Sequence, residues 1–326
     1  MISVIIPTRN RADFLAIALH SIARQDLPQD QFEVLVIDNG STDRTRQVVG
    51  EAERQLPNLS YFFEPEPGLH AGRHRGLREA NAENLVYADD DIRAAPSWLS
   101  AIAENFADPQ VAMVGGNNYP DFLGPVPAWL EILWNGPTKG GQMIGQLSVL
   151  SMPLGKRKFD PMFIWGCNFS IRKQVLLEAG GFHPDAMPKD LIRYRGDGET
   201  HVSRYVRTNK LGCVFDSRAS VYHAVLPERM TFGYFRQRSY NQGISDSYTS
   251  LRCARNEAHL AVRSRQFIAK ALGWPRKLAT LAGNSAELRE LMRTIDNGYR
   301  EGFEYHQTRY REDSEIRAWV HQPDYL

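Results

Sequence analysis

Short runs of β-branched and apolar residues alternate with segments of helical spacing along the first third of the chain. No other feature constrains the fold as much. "ISVIIPT", "FEVLVIDNG", "LSYFFEPE", "NLVYADDD" and "VAMVGGN" follow one another in that order. Each reads as a strand buried on both faces of a parallel sheet. The segments between them carry helix signals. Phe14, Ile17, Ala18 and Ile22 share one helical face, with Asn10 placed to cap it. Ser41 is placed to cap "TDRTRQVVGEAERQL", and the Gly- and Arg-rich turn "GLHAGRHRGLREA" leads into a third helix. Pro96 suits a first helical turn, and Leu99, Ile102 and Phe106 follow at helical spacing. Strands joined by helices predict an α/β fold, a mostly parallel sheet with helices on both faces.

In such sheets ligands bind beyond the carboxyl ends of the strands. Two of these strands end in acid. The second ends at Asp38, and the fourth runs into Asp89, Asp90 and Asp91. Packing like charges at the end of a buried strand is costly, so the triplet predicts a cation. Asp89-x-Asp91 offers hard oxygen ligands suited to Mg²⁺ or Mn²⁺, and so few carboxylates leave coordination positions open for phosphate oxygens. Arg73 and Arg75, between Gly72 and Gly76, are placed to meet a phosphate or a ribose. The segment is neither a GxGxxG fingerprint nor a P-loop. His223, after "CVFDSRASVY", becomes a metal ligand if the acids hold a metal nearby. Asp197 and Glu199 open a helix, where an acid is either a cap or a rigidly held general base.

The character changes from Tyr119 to Pro161, where glycines and prolines are dense and periodicity is weak. Such a stretch is expected to be a functional loop or lid. Regular structure resumes with "FIWGCNFSIRKQVLLEAGGF". "GDGETHVSRYVRTNKLG" reads as a helix with Val202, Tyr205 and Val206 on one face and Gly212 at its end, and "CVFDSRASVYHAV" reads as strand. Beyond Pro227 the chain reads as mostly helical. The expected organisation is a first half over 1–118, a second half over 119–235 with its loop at 119–161, and a helical extension over 236–326.

Apolar content of 42% in 326 residues supports a proper core. A net charge of +1 offers no global field for nucleic acid. Cys167, Cys213 and Cys253 form no CxxC pair or zinc spacing, which favours a reducing cytoplasm. The opening "MISVIIPTRN" is too short and wrongly flanked for a signal peptide, and no apolar run reaches the roughly 18–20 residues that span a bilayer. Residues 252–277 carry seven Arg or Lys against one acid, with Phe267, Ile268, Leu272 and Trp274 interleaved. They read either as a helix packed on the domain with a solvated basic face or as a peripheral contact with an anionic membrane surface. The stretch from Gly298 to Leu326 is dense in tyrosine and charge, and is expected to pack on the domain or line the site.

Taken in order, these segments resemble the family 2 glycosyltransferases, inverting enzymes of the GT-A fold, over about residues 1–235. "SVIIPTRNR" is similar to the opening strand and nucleotide loop, and "VLVIDNGSTDRT" to the second strand. "EPGLHAGRHRGLREA" resembles the GxxxARNxG segment, with His74 where Asn is usual. "VYADDDI" matches the DxD strand, "GCNFSIRKQVLLEAGGF" the acceptor-side segment, and "SRASVYHAV" the element ending in a histidine near the metal.

The resemblance implies a nucleoside diphosphate sugar donor bound by Pro7, Thr8, Arg9, Asn10, Arg11, Asp38, Arg73, Asp89 and Asp90. It implies Mn²⁺ or Mg²⁺ on Asp91, Asp89 and His223, and a glycan, lipid-linked or small-molecule acceptor near Trp165, Gly166 and Asn168. The family base is commonly the Asp of Glu-Asp-Thr, where this chain has "GDGET". Alignment on Thr200 makes Glu199 the base, and alignment on the aspartate makes it Asp197; the choice stays open at this point. Two other classes are kept beside it, a sugar-phosphate nucleotidyltransferase and a non-catalytic relative that binds nucleotide sugar or glycan. The first needs a Gly-rich basic loop after the first strand, which "PTRNRADF" lacks.

Overall fold

A computed structural model describes residues 1–136, 140–254 and 285–326. The first strands and helices alternate as expected: β1 (Ile2–Thr8), α1 (Ala12–Ile22), β2 (Phe32–Asp38), α2 (Thr45–Ala52), β3 (Leu59–Phe63), α3 (Leu69–Glu79), β4 (Asn84–Ala88), β5 (Ile92–Ala94), α4 (Trp98–Phe106) and β6 (Val111–Gly115). The remainder adds β7 (Asn118–Phe122), α5 (Ala128–Trp134), β8 (Gln142–Ile144), β9 (Val149–Ser151), β10 (Lys156–Lys158), β11 (Asn168–Arg172), α6 (Lys173–Glu178), α7 (Glu199–Thr208), β12 (Gly212–Asp216), β13 (Val221–Val225), α8 (Phe232–Ala254), α9 (Ala286–Glu312) and α10 (Ser314–Val320).

The main sheet has eight strands in the order β10-β12-β6-β11-β4-β1-β2-β3. β1 pairs in parallel with β2 and β4, and β2 with β3, while β11 runs antiparallel between β4 and β6. Both faces are covered. Val4, Ile6, Val34, Val36 and Val86 pack against Leu15, Leu19, Trp98 and Ile102 on one side. The alternate residues Ile5, Leu35, Ile37, Leu85 and Tyr87 pack against Leu77, Phe169, Phe182 and Val202 on the other. Each fully buried large apolar side chain contributes about 1.5–3 kcal/mol. This is why these strands read as continuous apolar runs.

A second sheet of five strands, β5-β13-β7-β9-β8, lies beyond the carboxyl end of β4. β7, β8 and β9 of this sheet come from the Gly- and Pro-rich segment, and the segment's β10 joins the edge of the main sheet. That stretch is therefore structured by α5, β8, β9 and β10, with Trp129, Leu130, Leu133, Ile144 and Val149 in a cluster of their own. α8 and α9 run parallel. Arg236 meets Gly298, Tyr240 meets Gly302 and Ser247 meets His306, in step along both helices, and a side chain at Gly298 or Gly302 would strike the partner backbone. α10 docks through the Trp319 indole on the Tyr194 carbonyl at 2.8 Å. The tyrosine-dense end thus packs on the domain.

Several local expectations are corrected. Asn10 does not cap α1; it sits at φ 54° and its Oδ1 accepts from the Thr42 amide at 2.7 Å. Ser41 is no cap either, since its hydroxyl accepts from the Asn10 amide at 2.9 Å. α2 starts later, at Thr45, whose amide and hydroxyl both bond Asp43. α1 buries Leu15, Ala18, Leu19 and Ile22, and Ile17 faces solvent. "GLHAGRHRGLREA" is not a turn before a helix but is largely the helix α3 itself. α4 begins at Trp98, after Pro96. Gly212 opens β12 instead of ending α7, pressed against the Gln110 carbonyl. "CVFDSRASVYHAV" is two strands in different sheets, because Ser217–Ser220 turn the chain out of the main sheet. The basic segment 252–277 lies outside the described residues beyond Ala254.

Candidate active site

The parallel register brings the strand ends together. Thr8 lies opposite Asp38, and β4 ends beside them at Ala88. The chain then turns into β5, which pairs antiparallel with β13 and sets Ile92 opposite His223. That single pairing carries His223 to the acidic triplet, and the Ala224 amide bonds the Asp91 carbonyl at 2.9 Å.

The three acids differ in surroundings. Asp90 is buried, accepts from the Thr8 hydroxyl at 2.8 Å and pairs with Arg11 at 3.0 Å. Burial outweighs Arg11 and pushes its carboxyl up to about 7. Asp91 is buried with its Oδ2 held by Arg11 at 2.8 Å and Arg229 at 3.0 Å. Burial works to raise the Asp91 carboxyl, but His223, Arg11 and Arg229 together hold it below the ordinary range. Asp89 is half-buried. Burial and then Asp91 raise its carboxyl, against Arg73 and His223.

Asp91 Oδ1 is buried without a hydrogen-bond partner, and His223 Nε2 stands 3.3 Å from it. His223 Nδ1 lies 3.0 Å from the Leu147 carbonyl, which only an N–H can satisfy. A charged ring donates from Nε2 to Asp91, which is how His223 lowers that carboxyl; in the neutral imidazole the proton sits on Nδ1 and Nε2 has a lone pair free for a cation shared with the carboxylate oxygen. Two acceptors facing each other in a buried site suit a cation between them, and a histidine fixed by a carbonyl is the usual second shell of a metal ligand. Asp91 Oδ1 and His223 Nε2 therefore suit a divalent cation, and an Asp89 carboxylate oxygen lies within 4.8 Å of a His223 ring nitrogen.

Across the site, α3 lies close on β1, because Gly76 packs against Ile5 and Gly72 against Pro7. Arg73, which follows Gly72, is buried and pairs with Glu199 at 3.1 Å. Burial works against its charge, and Glu199, Asp89 and Asp185 more than restore it. Glu199 is held at both oxygens, Oε2 by Arg73 and Oε1 by the Gly166 amide at 3.2 Å. Any side chain at Gly166 would run into the Arg73 guanidinium. That close approach is the reason for a glycine there.

Asp197 is occupied elsewhere. It is buried and bonds His183 at 2.6 Å, Arg204 at 3.0 Å and the Thr249 hydroxyl at 2.7 Å. Burial works to raise it, but His183 and Arg204 hold it far below the ordinary carboxylate range. It braces the start of α7 against α8. Glu199 instead bonds Arg73 and Gly166, the residue before Cys167.

The other expected residues divide in the same way. Thr8 and Arg11 reach the acids, as described. Pro7 packs under α3. Arg9 and Asn10 are exposed, and Asn10 ties the loop after β1 to the loop after β2. Asp38 is buried, accepting from the Ser41 amide at 2.7 Å and the Tyr61 hydroxyl at 2.8 Å. Trp165 is half-buried on the core. Asn168, expected near the acceptor, has both amide atoms engaged within the protein. It is buried, its Oδ1 accepts from the Trp98 indole at 2.9 Å and its Nδ2 donates to the Ala219 carbonyl at 3.0 Å. His74, in place of the family's Asn, accepts from the Phe182 amide at 2.9 Å, and burial holds its imidazole down to about 3.

Sequence reasoning missed Arg229, which lies six residues beyond His223 on the same return from β13. It also missed Cys167, beside Asp89 and His223. Cys167 is buried, and burial followed by Asp89 and Asp91 pushes its thiol well up.

A twisted α/β sheet with acids at its strand ends, continued by a second small sheet that returns a histidine to them, is the GT-A fold of glycosyltransferases. The sequence profile of glycosyl transferase family 2 matches residues 3–179, and the chain belongs to that family. It is 28% identical over 201 residues to validoxylamine A glucosyltransferase of Streptomyces hygroscopicus subsp. jinggangensis, covering 57% of this chain and 47% of that one. It is 32% identical over 124 residues to glycosyltransferase AglE of Haloferax volcanii, covering 37% and 41%. The chain thus spans less than half the length of these curated relatives. A mannosyltransferase from Pyrobaculum calidifontis, solved with GDP-Man and Mn²⁺, superposes with a TM-score of 0.55 at 20% identity, covering 96% of this chain and 87% of that one. That likeness is one of fold. Among the described residues no helix is long and apolar enough to cross a membrane.

Proposed function

We propose that this chain transfers a sugar from a nucleoside diphosphate sugar to an acceptor hydroxyl, with inversion, using Mn²⁺ or Mg²⁺. The observation that carries the reading is Glu199, held at both oxygens by Arg73 and by Gly166, the residue before Cys167. Asp89, Asp91 and His223 would hold the cation, whose chemistry is to offset the negative charge that develops on the departing diphosphate. The Pyrobaculum mannosyltransferase holds Mn²⁺ with GDP-Man, in keeping with this choice of cation and donor class.

The protein's own residues supply the rest. Thr8 at the end of β1, Arg11 just after it, Asp38 at the end of β2 and Arg73 on α3 bind and orient the donor. Glu199 takes the proton from the acceptor hydroxyl. The hydroxyl oxygen then bonds to the anomeric carbon as the bond to the diphosphate breaks, and that electron pair leaves with the diphosphate. One carboxylate suffices for such a single displacement, which is why it inverts. The wall built from α5, β8 and β9 is placed to screen the acceptor and keep water from the donor. The acceptor class is a glycan, a lipid-linked sugar or a small molecule, in glycan, polysaccharide or glycolipid biosynthesis on the cytoplasmic side.

Thermal unfolding with a panel of nucleoside diphosphates, each with Mn²⁺, Mg²⁺ or EDTA, tests this reading. Binding at a hundredfold excess over Kd stabilises by about 2.7 kcal/mol. A cation-dependent shift with one nucleotide is expected. Folded protein that shifts with none would overturn the proposal.

A further inference from the structure

Cys167 starts where Gly166 ends, just before β11, on the strand that neighbours β4. Its Sγ, an Asp89 carboxylate oxygen and a His223 ring nitrogen all lie within 4.8 Å of one another. The thiol is 1% exposed, and its protein partner is the Ser148 carbonyl at the long distance of 3.8 Å. A sulfur contact of that length is weak. The second observation is independent of the cysteine: the buried Asp91 Oδ1 lacks a hydrogen-bond partner and faces His223 Nε2 across 3.3 Å. That oxygen thus lies against the same His223 ring that belongs to the group with Asp89 and Cys167.

Bonds of about 2.0–2.3 Å from a tetrahedral metal to N, O and S put neighbouring ligands about 3.3–3.8 Å apart. Binding would draw the present spread of up to 4.8 Å in to that range. Mg²⁺ prefers oxygen and has no use for a sulfur. Cobalt, zinc and cadmium accept sulfur, nitrogen and carboxylate together.

We propose that Cys167 gives the cation site a sulfur ligand, so that it takes thiophilic divalent cations through Asp89, His223 and the Cys167 sulfur. The inference rests on reading Asp89, Asp91 and His223 as a cation site, and it is independent of sugar transfer. Cys167 would then decide which metal the site prefers, a choice that Asp and His alone leave to the oxygen-loving ions.

The test is a Co²⁺ titration of the full chain without nucleotide. Cys253 is exposed, so the parent protein carries Cys253→Ser to remove a competing thiol. The expected result is the near-ultraviolet sulfur-to-cobalt charge-transfer band, saturating with Co²⁺ and lost in both Cys167→Ser and His223→Ala. Cadmium is expected to raise the unfolding midpoint of the parent above the value in magnesium, with that difference gone in Cys167→Ser. Cobalt that stabilises the parent through His223 but gives no sulfur band would overturn the role of Cys167 and leave the cation site standing. Cobalt that neither stabilises nor gives a band would overturn both. If Cys167→Ser does not fold, the parent band and its loss in His223→Ala decide the matter.

Discussion

Arg73 and Glu199 are 126 residues apart in sequence and 3.1 Å apart in the site, with Gly166 closing on both of them. The guanidinium fixes one carboxylate oxygen and the Gly166 amide the other. A carboxylate so held has one orientation, which is what the proposed proton transfer requires.

Glu199→Gln is therefore expected to lower kcat by about 10²–10⁴ while nucleotide-dependent stabilisation is retained. Asp197→Asn should behave differently. It breaks a buried network with His183, Arg204 and Thr249, and breaking a buried charge pair costs about 3–5 kcal/mol. Urea unfolding and steady-state kinetics on both variants distinguish them. Unchanged turnover in Glu199→Gln would remove that residue from the mechanism.

Gly166→Ala places a methyl group where the Arg73 guanidinium lies. Arg73 is buried and has little room to retreat. Activity should fall at least tenfold, about 1.4 kcal/mol in the transition state. Wild-type kcat/KM in this variant would mean that the guanidinium has no fixed place in the reaction.

Asn168→Ala separates a structural amide from an acceptor contact. Its loss strands the buried Trp98 indole N–H, at a cost of about 1–3 kcal/mol. Stability should drop with the acceptor KM unchanged. A raised acceptor KM at unaltered stability would restore the acceptor role.

Acid should loosen the fold before it protonates ordinary carboxylates. Burial, the first cause in each case, holds His201 and His306 down to about 4. In the unfolded chain they titrate near 6.5, so the unfolded state takes up these protons first. The stability they contribute is complete above about pH 6.5 and is lost as pH falls toward 4, at up to about 1.4 kcal/mol per pH unit for each. Urea midpoints measured from pH 7.5 down to 4.5 should decline, and His306→Gln should flatten the decline. A midpoint constant over that range would refute the assignment.

Much of the fold was legible because burial on both faces demands continuous apolar runs. Val4, Ile5 and Ile6 are all fully buried, toward opposite clusters. Boundaries were less legible where tertiary bonds override local signals. Ser41 and Asn10 are good helix caps by residue type, yet they bond each other's loops. The segment 119–161 has weak periodicity because its strands are three to five residues long, too short for alternation to show.

By itself the sequence determined the α/β alternation, the acids at the strand ends and the family, since each depends on order along the chain. Only the tertiary structure decided which of two acids two residues apart faces the site. A helix start turns neighbouring side chains in different directions, and the partners that claim Asp197 (His183, Arg204 and Thr249) and Glu199 (Arg73 and Gly166) come from distant segments. The same holds for Cys167 and Arg229, which reach the acids only because β11 lies beside β4 and β13 pairs with β5. Strand pairing brings together residues that no spacing rule connects.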